Sequence, residues 1–79
     1  MKREECEKEI LGKLRDIHDI YVSYLSENNA EWDGKYDSLS CAVFNDSVSV
    51  FNSRSVHEKE LPLSASYYYK GDKYVEWQI

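Results

Sequence analysis

Four side chains in this sequence have the chemistry of soft-metal ligands or activated nucleophiles: Cys6, His18, Cys41 and His57. Zinc sites bring such residues together in short pairs, Cys-x-x-Cys or His-x₃₋₅-His. Here the four are spread along the chain, with no pair at ligand spacing. A Cys–His nucleophile would need an accessible, electropositive setting that favours thiolate. Cys41 falls between Leu39 and Val43 in an apolar alternation, in a chain of net charge −5. Both cysteines are therefore expected to pack as small hydrophobes. His18 flanks an apolar helix stripe and His57 sits in a polar stretch. Asp33 and Asp37 flank a turn and lack the ligand density of a calcium loop. The sequence predicts no catalytic residue, no metal and no cofactor.

The aromatics form a stronger pattern. Seven of 79 residues are tyrosine, and Tyr67, Tyr68 and Tyr69 are consecutive. Side chains on a strand alternate between faces, so a run of three places a ring on each side. Phe44, Phe51, Tyr68 and Tyr74 are expected on an outer sheet face among Ser38, Ser40, Ser47 and Ser49. Rigid rings surrounded by small hydroxyls suit protein recognition. Asp46, Asp72 and Glu76 supply an acidic rim, which argues against stacking RNA bases on the same rings. The expected site is thus a partner-binding face made by these seven residues.

The elements that must position them are legible in the periodicity. Cys6, Ile10, Leu14, Ile17, Tyr21 and Leu25 recur at helical spacing and predict one helix over about 4–26, stopped by Asn28-Asn29. This stripe is expected to pack on a sheet. Leu39, Cys41 and Val43 alternate with serine and alanine, as do Val48 and Val50 with Ser49 and Phe51. A two-residue loop at Asn45-Asp46 pairs Val43 with Val48 and Cys41 with Val50, giving a hairpin over about 36–52. Residues 53–62 read as a loop, with Ser55-Val56-His57-Glu58 as a capping box. A second hairpin covers about 63–79. Its preferred loop is Lys70-Gly71-Asp72, with a bulge near Gly71, because this register groups Val75 and Trp77 with Tyr67, Ala65 and Leu63 on one apolar face. The expected architecture is α+β, with order α-β-β-β-β in a single domain spanning 1–79.

Size and charge narrow the function classes. A chain of 79 residues has a small core and little room for a deep pocket. Fifteen acidic residues against ten basic ones, and the absence of a basic face, disfavour direct nucleic-acid binding. The polar N-terminus and the lack of a long apolar run predict a cytoplasmic chain that does not enter a membrane. In size, charge and helix-plus-sheet simplicity the chain is similar to small inhibitors and immunity proteins of phage and mobile elements, anti-CRISPR proteins among them. That resemblance implies a non-enzymatic inhibitor of a host or defence protein, one that mimics nucleic acid in a basic groove. The alternative is a self-associating protein that pairs through an edge strand, expected at the C-terminal strand. Either reading allows a monomer or a homodimer, and a small enzyme ranks last.

Overall fold

The computed structural model describes residues 1–32, 37–53 and 61–77. The Asp33-Gly34 turn, the capping box at residues 55–58 with His57, and the terminal Ile79 lie outside the described residues. The chain divides into two compact units, Met1–Trp32 and Asp33–Ile79. Together they carry one helix followed by a four-stranded antiparallel sheet, the α+β arrangement expected from the sequence.

In the first unit, α1 spans Arg3–Glu27, with Glu4 and Glu5 in its first turn opposing the positive end of the helix dipole. Its C-terminus is closed by backbone geometry. Asn29 adopts a left-handed φ of 57°. The Ala30 N–H donates to the Leu25 carbonyl at 2.8 Å and the Asn29 N–H to the Ser26 carbonyl at 3.1 Å. This is the Schellman arrangement, and the Asn28 side-chain amide adds a bond to the Tyr24 carbonyl at 2.8 Å. The chain then turns back and sets Trp32 edge-on to Tyr21, with ring centroids 4.7 Å apart, and stacked on His18 at 5.3 Å.

Only the C-terminal part of the apolar stripe is covered. Tyr21 and Leu25 are buried and Ile17 is half-buried, while Cys6, Ile10 and Leu14 are exposed. The expectation that the whole stripe enters a core is corrected here: the reversal after α1 returns Trp32 to Tyr21 and His18, at the C-terminal end of the stripe.

In the second unit the strands are β1 (Leu39–Val43), β2 (Ser47–Asn52), β3 (Ser64–Tyr68) and β4 (Lys73–Glu76), neighbours in chain order. The first hairpin has the expected register, with Val43 opposite Val48 and Cys41 opposite Val50. Cys41 is nonetheless exposed. The parity is as expected, but β1 is an edge strand, and Val43 beside it is 81% exposed.

Asn52 pins the entry to β3. Its amide donates to the Leu61 carbonyl at 2.9 Å and its side-chain oxygen accepts from the Leu63 N–H at 2.7 Å. Ser53 closes the open end of the first hairpin instead, accepting from the Ser38 N–H at 2.9 Å and donating toward the Asp37 carboxylate at 3.5 Å.

The second hairpin departs from the expected register. Tyr68 pairs with Lys73, Tyr67 with Tyr74 and Ser66 with Val75. Gly71 and Asp72 both take left-handed φ values, 84° and 50°, and the Asp72 N–H closes the turn on the Tyr69 carbonyl at 3.3 Å. Val75 and Trp77 therefore share a face with Tyr68 and Ser66, not with Tyr67 and Ala65. Apolar alternation misjudged this register because both faces of the hairpin carry rings, so hydrophobicity alone separates them weakly. The left-handed pair at the turn makes the choice.

The helix stop yields a direct test. Asn29→Gly should leave stability unchanged or slightly higher, whereas Asn29→Val, forced into the left-handed region, should cost about 1 kcal/mol. Urea unfolding followed by circular dichroism reads this difference, and coincident midpoints for the two variants would contradict the left-handed stop.

Candidate functional site

The register sorts the side chains into rows. On one face of the sheet, the middle row runs Ala42, Ser49, Ser66, Val75 across the four strands. One flanking row holds Ser47, Tyr68 and Lys73, extended by Phe44, whose N–H donates to the Ser47 carbonyl at 2.8 Å. The other holds Ser40, Phe51 and Ser64, extended by Trp77, whose N–H donates to the Ser64 carbonyl at 2.8 Å. Small residues thus form a floor between two aromatic rows, about 14 Å apart at four residues of strand rise.

The floor is held by hydroxyls. Ser49 and Ser66 sit opposite each other and their Oγ atoms are 2.8 Å apart. The Trp77 indole N–H donates to Ser66 Oγ at 3.0 Å, drawing the ring toward the floor. Ser66 is accordingly buried while the Trp77 residue keeps 51% of its surface exposed. Phe44 and Phe51 are 56% and 55% exposed, and Tyr68 is half-buried. The Ser49 and Ser66 hydroxyls and the Trp77 indole N–H are already bonded to one another, so the floor has little left to desolvate when something binds.

The structure brings together Phe44, Phe51 and Tyr68 from the sequence expectation and adds Trp77 to them. Tyr74 and Glu76 lie on the opposite face, with Ala65 and Tyr67. Trp77 was missed because the wrong hairpin register assigned it to the core. The signal that could have found it is the Lys70-Gly71-Asp72 tract, in which both glycine and aspartate tolerate a left-handed backbone.

Asp46 and Asp72 stand in the two turns at the same end of the sheet, joined by the Tyr69 N–H donating to the Asp46 carbonyl at 3.1 Å. Both aspartates are exposed. The Asp46 carboxylate accepts from the Ser47 hydroxyl at 3.2 Å. Asp72 accepts a hydrogen bond from the Tyr67 hydroxyl, and Tyr69 packs edge-on to Tyr67 with ring centroids 5.7 Å apart. These contacts hold the Tyr67 phenol in its neutral form. Its pKa is raised by the bond to Asp72 first, then by loss of hydration and by the neighbouring Tyr69.

Among the described residues no group of three or more His, Cys, Asp or Glu side chains is placed to hold a metal ion. No helix among them is long and apolar enough to cross a membrane. Compared with known protein families, curated proteins and solved structures, the chain matches none.

The Tyr67–Asp72 bond sets a pH dependence. A phenol whose pKa is higher in the folded state stabilises the hairpin below the ordinary tyrosine value of 10.0, and that contribution is lost as pH rises through the raised value. Asp72→Asn keeps a residue that tolerates the left-handed turn but offers a neutral, weaker acceptor. Carbon-13 titration of the Tyr67 ring should show its pKa falling toward 10.0 in this variant. An unchanged titration would contradict the assignment.

Proposed function

We propose that the chain is a non-enzymatic protein-binding module that docks a partner on the face bearing Phe44, Phe51, Tyr68 and Trp77. The observation that carries this reading is the juxtaposition of three rings, each at least 51% exposed, around a hydrogen-bonded serine floor. Lone exposed apolar residues are ordinary, but several large ones gathered on one sheet face mark an interaction surface. The Trp77 ring, already seated by its hydrogen bond to Ser66, loses little conformational freedom on binding.

The partner's chemistry follows from charge. Asp46 and Asp72 at the turn end, in a chain of net charge −5, favour a basic protein surface at the rim. A groove that otherwise takes nucleic acid has that character, so the module would act as an inhibitor by occupying it. Glu76, on the opposite face, has no part in this docking.

Affinity capture with the chain as bait identifies the partner, and titration calorimetry with that partner then tests the face. Phe51→Ala should weaken binding by about 30-fold, the loss of about 2 kcal/mol typical of an aromatic anchor, with the far-ultraviolet dichroism unchanged. Asp46→Asn should lower the association rate and flatten its salt dependence. Wild-type affinity in a folded Phe51→Ala variant would rule out this face.

A further inference from the structure

The two edges of the sheet are built differently. β4 carries Lys73 and Glu76, both exposed, and follows the left-handed residue Asp72. Charges of this kind guard an edge against strand addition. β1 has none of these devices: Leu-Ser-Cys-Ala-Val contains no charge, no proline and no glycine.

The hydrogen-bond parity shows what β1 leaves open. The Phe44 N–H donates to Ser47 and the Ser53 N–H to the Ser38 carbonyl, so the even-numbered residues of this segment face β2. Leu39, Cys41 and Val43 therefore turn their N–H and C=O groups away from β2, where no strand of the sheet lies.

We propose that β1 is a pairing edge for a second copy of this chain, forming an antiparallel two-fold dimer centred on Cys41. The strand is self-complementary in that register. Leu39 meets the partner copy's Val43, Cys41 meets Cys41, and Ser40 meets Ala42. Every outward N–H and C=O of Leu39, Cys41 and Val43 finds a mate, and the two sheets become one of eight strands. No like charges oppose each other across the pairing. The axis through Cys41 is the isologous contact expected of a homodimer. Strands of this length cover less than the roughly 1,200–2,000 Å² of stable interfaces, so the dimer is in equilibrium with monomer. Each copy carries −5, so added salt strengthens this association, the reverse of its effect on a basic partner.

Sedimentation velocity over a concentration series, on the full chain, tests the proposal. The wild type should shift from monomer to dimer with concentration, and further with salt. Val43→Lys alters a side chain that is 81% exposed, so the fold is retained, and it should remain monomeric throughout. Position is tested by thiol cross-linking with a short bis-maleimide. In a hydrogen-bonded antiparallel pair the two Cα atoms are about 5.5 Å apart, so Cys6→Ser, which keeps Cys41, should give covalent dimer, and Cys41→Ser should not. A monomeric wild type at every concentration would overturn the proposal. So would a dimer that Val43→Lys leaves intact, or equal cross-linking through Cys6. Phe51→Ala should leave the dimer unaffected, which separates this edge from the docking face.

Discussion

The surface chemistry of the sheet depends on the turn at Gly71 and Asp72. Two consecutive left-handed residues place Lys73 opposite Tyr68, and every side chain of β4 inherits its face from that pairing. A shift of one residue would exchange Tyr74 for Val75 and move Trp77 to the other side. The Tyr67–Asp72 and Trp77–Ser66 bonds both require the observed register, one at each end of the hairpin. Turn backbone and side-chain bonds therefore select the same arrangement, which is the mutual support expected of a sequence with one native structure.

The same economy appears at the other chain reversals. α1 ends without a glycine, using Asn28 and Asn29, and the reversal carries Trp32 back onto Tyr21 and His18. Asn52 ties the start of the second hairpin to the first through the Leu61 carbonyl and the Leu63 N–H, and Ser53 closes the open end of the first hairpin on Ser38. In a chain this small, a few side-chain-to-backbone bonds do work that a large apolar core does elsewhere.

Much of this was legible in the sequence, though unevenly. The helix and its asparagine stop could be read because helical periodicity over many residues and a left-handed cap give independent signals. The first hairpin could be read because valines and Cys41 alternate with small polar residues, so pattern and loop length agreed. The second hairpin failed on this point: Tyr67, Tyr68, Val75 and Trp77 put apolar surface on both faces, and the decision passed to backbone conformation at two residues. Burial was the least legible property. Spacing identifies an apolar stripe through Ile10 and Leu14, or an alternation through Cys41 and Val43, but it does not say which part of either is covered. Trp32 and Trp77 escaped notice as ordering residues because each acts through a contact created by a chain reversal.

The measurement that bears most directly on this account is the cross-strand nuclear Overhauser pattern of the second hairpin. In the observed register Tyr67 and Tyr74 form a non-hydrogen-bonded pair, with Cα atoms about 4.5 Å apart. A strong Hα–Hα effect should join these two residues, and another should join Ala65 and Glu76. Effects joining Tyr68 to Tyr74, or Tyr67 to Val75, would establish the three-residue loop instead, return Trp77 to the opposite face and dismantle the docking surface described above.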